Sequence, residues 1–187
     1  VAQLREEAEL VYGSPDSVNT NGADSEKGAF ISPMLLRVDN PSDAVKVHEV
    51  EAFGPVSTIM PYDSIEQAVE LSKKGKGSLC CSITTHDKKA ASEFVRNAAS
   101  MHGRILVLDR ECAKESTGHG SPLPLLVHGG PGRAGGGEEM GGLRGVKHYL
   151  QRTAIQGHPS MLTAITEQYQ PGGARPESEP HVFRKHL

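Results

Sequence analysis

The sequence predicts an α/β fold in which a layered, mostly parallel sheet is flanked by helices. Two observations support this prediction. Short apolar segments alternate with amphipathic helical segments along residues 56–108, which is the pattern of parallel strands joined by helical crossovers. Apolar residues make up 36% of the 187-residue chain, enough for a buried core.

The first part of the chain is expected to hold one helix and two strands. An apolar stripe with helical spacing predicts the helix at the N-terminus: Leu4, Ala8 and Val11. A polar loop follows from Gly13 to Lys27. The two apolar segments Phe30–Val38 and Val56–Met60 are short and end in turn residues, so they are predicted to be buried strands.

The clearest helix signal runs from Ser64 to Lys74, which begins with a capping residue, carries an apolar stripe and ends in Lys-Lys-Gly. The later elements expected are strands at Leu79–Thr84, Arg104–Leu108 and Thr153–Ile155, and helices at Lys88–Ser100, Leu143–Leu150 and Pro159–Tyr169. Residues 109–142 have no regular period, which favours a functional segment. The Pro- and Gly-rich stretch from Pro171 has the composition of a linker.

Charge and cysteine content exclude several classes of protein. With 20 basic and 23 acidic residues, the chain has no field that would attract nucleic acid or an anionic membrane. It has no apolar stretch of membrane-spanning length and no signal-peptide pattern. Three cysteines, two of them adjacent, do not form a disulfide framework, and we therefore expect a reducing cytoplasm. The chain begins without methionine in a helix-like segment, which suggests a fragment.

Nine of the seventeen residues from Gly129 to Gly145 are glycine. Such a segment before a helix can bind phosphate through backbone N–H groups, but it matches neither nucleotide-binding motif, and Glu138 and Glu139 would repel an anion. A loop that packs closely or contacts a partner is the favoured interpretation, and phosphate binding is the alternative.

Other candidate sites have weaker support. Residues 114–122 hold Ser116, Ser121 and His119 without a nucleophile elbow, so a serine hydrolase is disfavoured against a hydrogen-bonded loop. A hydrolase built on Cys112 and His119 remains an alternative. Three histidines lack the spacing of metal ligands, and no metal site is expected: His48, His119 and His128. Cys80 and Cys81 lie in an apolar strand and are predicted to be packing residues.

Residues 51–56, Glu-Ala-Phe-Gly-Pro-Val, lie between two predicted strands and resemble the E-x-F-G-P-V signature of aldehyde dehydrogenases. The succession of elements around it, and the glycine-rich segment that leads to a helix and a final strand, are also similar to that family. The resemblance covers residues 1–157 and implies the C-terminal part of an aldehyde dehydrogenase catalytic domain. Residues 158–170 would be a helical extension, and residues 171–187 a linker.

The resemblance implies a dinucleotide cofactor, NADP with NAD as the alternative. Glu51 matches the family glutamate that binds the ribose hydroxyls of the nicotinamide half, and Phe53 matches the aromatic residue beside the nicotinamide ring. His128 stands where the family commonly has phenylalanine near the substrate tunnel, which implies a substrate contact that holds the CoA-linked chain. Thr153–Ile155 matches the strand through which family subunits pair, which implies a homo-oligomer formed by strand addition.

Several segments are more similar to the bifunctional ring-opening enzymes of bacterial phenylacetate degradation, namely residues 113–137, 146–157 and 181–185. In those enzymes the dehydrogenase domain is followed by a hot-dog-fold enoyl-CoA hydratase domain. This resemblance implies an NADP-dependent enzyme that oxidises a CoA-thioester semialdehyde, made from oxepin-CoA by the hydratase, to the acid.

No cysteine precedes Glu51, so the resemblance places the nucleophilic cysteine, the general-base glutamate and the cofactor domain upstream of this chain. We therefore expect no catalytic residue in the 187 residues and no activity from the chain alone. Two alternatives remain besides the hydrolase built on Cys112 and His119. The chain can belong to a stand-alone semialdehyde dehydrogenase of another aromatic-CoA pathway, or it can be a non-catalytic oligomerisation module.

Overall fold

The computed structural model describes residues 1–112, 114–115, 128–134, 143, 146, 150 and 152–175. The chain divides into two compact units, Val1–Gln67 (unit 1) and Ala68–Leu187 (unit 2). Each unit contains a three-stranded sheet with helices, and three of the four strand pairings are parallel. The predicted α/β fold with a mostly parallel sheet and flanking helices is confirmed.

The sheet of unit 1 contains β1 (Glu9–Tyr12), β2 (Met34–Arg37) and β3 (Val56–Ile59), in that order. β2 lies parallel to β3, as expected for strands joined by a crossover, whereas β1 is antiparallel to β2. The core below this sheet is formed by small and aliphatic side chains: Leu4, Ala8, Leu36, Val38 and Ala44. β2 is shorter than predicted because the apolar residues before Met34 include Pro33, which has no N–H to donate to a ladder.

The predicted N-terminal helix is wrong. Only a single 3-10 turn forms, at Leu4–Glu6, and the chain then extends into β1. Leu4 and Ala8 do share the buried side of this turn, where the Ala8 N–H donates to the Leu4 carbonyl at 3.0 Å. Val11 is 51% exposed, so it does not continue the stripe. Pairing with β2 therefore outweighs a helical pattern that is too short to be stable by itself.

A one-turn helix, α1 (Lys46–Glu49), is absent from the sequence prediction. One carboxylate oxygen of Glu7 accepts hydrogen bonds from three successive backbone N–H groups at its start, those of Val45, Lys46 and Val47, at 3.0, 2.7 and 3.3 Å. These bonds, together with the Lys46 charge, lower the pKa of Glu7 against the opposing effect of burial, which is the largest single influence. The turn is thus stabilised by a residue about 40 positions away in the sequence, which local patterns do not reveal.

Helix α2 (Ile65–Lys74) begins in unit 1 and continues into unit 2. Its start follows the predicted cap, because the Ser64 Oγ accepts from the Gln67 N–H at 3.2 Å and the Gln67 side chain accepts from the Asp63 N–H at 2.6 Å. Sequence and structure agree here because all the stabilising groups are local.

Unit 2 has a parallel sheet of β4 (Ser78–Thr84), β5 (His102–Leu108) and β6 (Ala154–Gln156), with β5 in the centre. Helices α3 (Lys88–Ala98) and α4 (Pro159–Thr166) pack on it. The buried core between sheet and helices consists of Ala91, Val95, Ile105, Val107, Met161 and Ile165. Asp87 caps α3 by accepting from the Lys89 and Ala90 N–H groups. Strands β4 and β5 start earlier than predicted, and a 3-10 turn at Ala99–Met101 joins α3 to β5.

Residues that follow α4 fold back onto it. The last helical residue is Thr166, three residues before the predicted boundary at Tyr169. Glu167 follows it with φ +58° and ends the helix. Arg96 of α3 donates to the Ile165 carbonyl and to the Glu167 carboxylate. The Ala174 N–H then donates to the Ser160 Oγ at 2.8 Å. The start of the predicted linker is therefore packed against α4, while residues 176–187 and most of the predicted Leu143–Leu150 helix lie outside the described residues.

Among the described residues, none of the helices is long and apolar enough to cross a membrane.

Candidate functional site

The turn of residues 51–55 leads from α1 into β3 of unit 1. The Met34 N–H donates to the Pro55 carbonyl at 2.9 Å, and the Val56 N–H donates to the Gly54 carbonyl at 2.8 Å. These bonds fix the end of the turn against the start of β2. Ala52 packs on the core of unit 1, whereas the Glu51 side chain is exposed. The turn is therefore held to the core of unit 1 through Ala52, while the side chain of Glu51 faces solvent.

Phe53 is the most unusual residue of this turn. Its φ is +39°, and its side chain is 92% exposed. A left-handed conformation costs a residue with a β-carbon about 1–2 kcal/mol, and a fully exposed aromatic ring gives none of the free energy of burial. A strained, exposed aromatic beside an exposed carboxylate indicates a surface shaped for a ligand rather than for stability.

The side chains of Glu51 and Phe53 offer the two kinds of contact that the family resemblance predicts for the ribose and the nicotinamide ring of a dinucleotide. An exposed carboxylate can accept hydrogen bonds from vicinal hydroxyls, and an exposed ring offers a flat apolar face to a heterocycle. Both side chains are exposed on one short turn, and their role in cofactor binding stays a prediction.

His128 lies in unit 2. Its ring packs against Gly103 of β5, so closely that a β-carbon at position 103 would lie 2.5 Å from Nδ1. The Gly130 N–H donates to that same Nδ1 at 3.0 Å. Burial, and then the charge of Arg104, lower the pKa of His128. The imidazole is therefore held in one orientation against β5.

Arg104 and Cys80 are register partners on β5 and β4, so their side chains lie on the same face of the sheet. The Arg104 Nη2 donates to the Cys80 Sγ at 3.2 Å. Cys81 points to the opposite face, against the core, where burial raises the pKa of its thiol to about 11. Cys81 is thus a packing residue, as predicted.

The described part of the glycine-rich segment packs tightly against the turn between α2 and β4. Gly132, with φ +54°, approaches the Lys76 carbonyl so closely that a β-carbon would lie 1.9 Å from its oxygen. The Arg133 N–H donates to the same carbonyl at 2.9 Å. For these residues the close-packing interpretation is confirmed, whereas Glu138 and Glu139 lie outside the described residues.

Comparison with known protein families identifies the family of this chain. The sequence profile of the aldehyde dehydrogenase family matches residues 2–155. This chain belongs to the aldehyde dehydrogenase family. An aldehyde dehydrogenase is an oxidoreductase, and the family uses NAD or NADP.

Several curated proteins are similar to this aldehyde dehydrogenase chain. Protein MaoC of Klebsiella aerogenes is 53% identical over 163 residues, which cover 87% of this chain and 49% of that protein. The 3,4-dehydroadipyl-CoA semialdehyde dehydrogenase of Aromatoleum evansii is 40% identical over 131 residues, 70% of this chain and 25% of that protein. A putative aldehyde dehydrogenase of Staphylococcus haemolyticus is 27% identical over 159 residues. The chain spans about half the length, or less, of these relatives.

The described residues of this dehydrogenase chain give no support to the two hydrolase hypotheses. Cys112 lies in a turn after β5, where the Asp109 carboxylate accepts from the Glu111 and Cys112 N–H groups at 3.0 and 3.1 Å. The Cys112 thiol is directed at the Val107 carbonyl, 3.6 Å away. His119, Ser116 and Ser121 lie outside the described residues. No group of three potential metal ligands occurs within the described part of the chain.

Sequence reasoning missed one notable histidine of this dehydrogenase chain. His102 is 3% exposed at the start of β5, and its ring stacks on Phe94 of α3. Its Nδ1 lies 2.7 Å from the Ser78 Oγ and its Nε2 lies 3.3 Å from the Ser72 Oγ. Burial lowers its pKa. Nothing in the neighbouring residues signals these contacts, because both serines lie at least 24 positions away.

Proposed function

We propose that this chain is part of an NADP-dependent aldehyde dehydrogenase that oxidises a CoA-thioester semialdehyde to the acid in phenylacetate degradation. The observation that carries the substrate class is the 40% identity to a relative named for a CoA-linked semialdehyde. The identity to the Staphylococcus proteins, which are named only as aldehyde dehydrogenases, is 26–27%. In the longer protein a hydratase domain follows this chain and supplies the aldehyde, in the reducing cytoplasm that the three free thiols favour.

In this proposal Glu51 binds the nicotinamide ribose and Phe53 covers one side of the nicotinamide ring. NADP supplies the hydride acceptor when it is bound. The protein contributes orientation: an accepting carboxylate fixes the sugar, and an aromatic wall limits rotation of the ring. The exposure of both side chains, and the strain at Phe53, support these roles.

The test uses the full-length enzyme that carries this chain, with NADP and two aldehydes of equal carbon number, one CoA-linked and one free. We expect a higher kcat/KM for the CoA-linked aldehyde. Glu51→Gln should raise the KM for NADP about tenfold or more, because a hydrogen bond to a charged acceptor is replaced by a neutral one. Glu26→Gln, an exposed glutamate elsewhere in unit 1, is the matched control. An unchanged KM in Glu51→Gln would remove Glu51 from the cofactor site.

The isolated chain provides a second test, since the nucleophilic cysteine is proposed to precede it. Purified residues 1–187 with NADP and aldehyde should give no turnover above background. Turnover that is lost in a Cys112→Ser variant would instead place the nucleophile in this chain.

A stand-alone semialdehyde dehydrogenase of another aromatic-CoA pathway is the second candidate function. The same relative favours it, because its name specifies a CoA semialdehyde dehydrogenase and no further activity. Assay of the full-length enzyme for hydration of enoyl-CoA separates the two, since only the bifunctional protein has a hydratase domain.

A further inference from the structure

The turn of residues 51–55 is held at both of its ends. At its far end the Pro55 carbonyl accepts from the Met34 N–H at 2.9 Å, which joins the turn to β2. At its near end the Val50 N–H donates to the Lys46 carbonyl at 2.8 Å, which joins the turn to α1. The conformation of the turn therefore depends on how firmly α1 is held.

The start of α1 is held by Glu7 rather than by a cap of its own. The N-cap residue Val45 has an apolar side chain, which cannot accept a hydrogen bond from the first backbone N–H groups. One oxygen of the Glu7 carboxylate accepts from three of these groups, on Val45, Lys46 and Val47. A helix of four residues is too short to be stable by itself, so these bonds determine whether α1 forms.

The segment between α1 and β3 transmits this support to the exposed side chains of the turn. Its apolar residues pack on the core of unit 1: Val47, Val50 and Ala52. Glu51 and Phe53 alternate with them along the chain and are exposed. The left-handed φ of Phe53, +39°, is a strained conformation that persists only where the surrounding contacts impose it. Loss of the Glu7 contacts would release the turn from this conformation.

We propose that Glu7 is a positioning residue for the cofactor, because its capping of α1 keeps Glu51 and Phe53 in the arrangement that binds the nicotinamide ribose. The inference rests on the proposed function, which places the cofactor at this turn. In this role Glu7 acts through α1 and does not touch the cofactor. It raises the fraction of enzyme whose turn is ready to bind, and the apparent affinity for NADP falls in proportion when that fraction falls.

The kinetic test measures kcat and the KM for NADP in the full-length enzyme and its Glu7→Ala and Glu7→Gln variants. Glu7→Ala should raise the KM for NADP about fivefold or more and leave kcat at saturating NADP unchanged. Glu7→Gln should restore much of the lost affinity, since the three bonds end on one oxygen and an amide still supplies an accepting oxygen. Glu9→Ala, which removes an exposed carboxylate of β1, is the control and should leave the KM unchanged.

The split between KM and kcat separates positioning from a simple loss of stability. A variant that is only less stable contains less folded enzyme, which lowers kcat and leaves the KM for NADP unchanged. That result in Glu7→Ala, beside a raised KM in Glu51→Gln, overturns the inference and leaves the proposed function standing. An unchanged KM in both variants removes the cofactor from this turn, and the role of Glu7 falls with it.

Hydrogen exchange of the wild-type enzyme gives a readout that needs neither turnover nor a folded variant. Coupling between two places in a protein is reciprocal, so NADP bound at the turn must stabilise α1 in return. Saturating NADP should therefore slow amide exchange in peptides that cover residues 45–50 about fivefold or more, measured by mass spectrometry. Exchange in these peptides that is the same with and without NADP overturns the inference.

Discussion

His102 connects three elements of unit 2 through a single buried ring. Its two ring nitrogens form hydrogen bonds with Ser78 of β4 and Ser72 of α2, and the ring stacks on Phe94 of α3. No charged group is among these partners, and burial alone lowers its pKa. A protonated ring in this place would be a buried cation without a counter-charge.

This burial predicts how stability depends on pH. Because the pKa of His102 is lower in the folded state, the unfolded chain binds the proton first, and stability is lost as the pH falls from about 6.5 through the folded-state pKa. The slope should be at most about 1.4 kcal/mol per pH unit for this group. Urea unfolding between pH 5 and 8, scanned in steps of about 0.5 units, measures it.

The matched variants for this measurement are His102→Gln and His86→Gln. Replacing the buried histidine should flatten the pH dependence, whereas replacing the exposed one should leave it unchanged. Parallel pH curves for wild type and His102→Gln would assign the acid sensitivity to another group.

At the scale of elements, the sequence is sufficient where the stabilising groups are local. Helices α2 and α3 begin at Ser64 and Asp87 caps that lie directly before them, and both were predicted within a few residues. The failures are long-range. The N-terminal segment becomes a strand because β2 pairs with it, and α1 exists because Glu7 caps it across the fold.

Close backbone packing of the glycine-rich segment makes a testable demand on Gly132. Alanine there would combine a left-handed φ of +54° with a β-carbon 1.9 Å from the Lys76 oxygen. Gly22 has a φ of +70°, and a β-carbon there would have no atom within 4 Å. Alanine at position 22 would therefore add the backbone strain without the clash. We expect Gly22→Ala to cost about 1–2 kcal/mol in the free energy of unfolding and Gly132→Ala to cost more. Equal losses in urea unfolding would show that the contact with Lys76 is not formed.

Helix α4 should carry a large part of the stability of unit 2. Met161 is 1% exposed in the core beside Ile105 and Val107. Met161→Ala should therefore destabilise the unit by about 2–5 kcal/mol. Leu79→Ala, at a position that is 51% exposed, is the comparison and should cost clearly less. Similar losses in both variants, measured by urea unfolding, would mean that α4 does not pack on the core.

At the scale of the whole molecule, the sequence predicts the candidate site only through its resemblance to a family motif. Glu51 and Phe53 occur in a short turn that has no regular pattern of its own, and only the six-residue motif distinguishes them. The exposure and strain of Phe53 emerge from the structure. The packing of the His128 ring is not predictable from the sequence, because it depends on the approach of Gly103 and Gly130 in three dimensions.

Strand addition through β6 remains a prediction. In the described sheet of unit 2, β6 is an outer strand, paired with β5 on one side. If subunits join there, light scattering after size-exclusion should give a multiple of 20.0 kDa for the chain, and Gln156→Lys should shift it toward the monomer. Ser82→Lys, on the opposite outer strand β4, is the control. A monomeric wild-type chain would exclude assembly through this segment alone.

The position of α4 determines where the chain can be truncated without exposing the core of unit 2. The family profile ends at residue 155, and residue 157 is the natural boundary by sequence resemblance. Yet two of the six buried core residues of unit 2, Met161 and Ile165, lie beyond it. An expression boundary at 157 would expose Ala91 and Val95 to solvent and favour aggregation, whereas a boundary after Arg175 keeps the core covered.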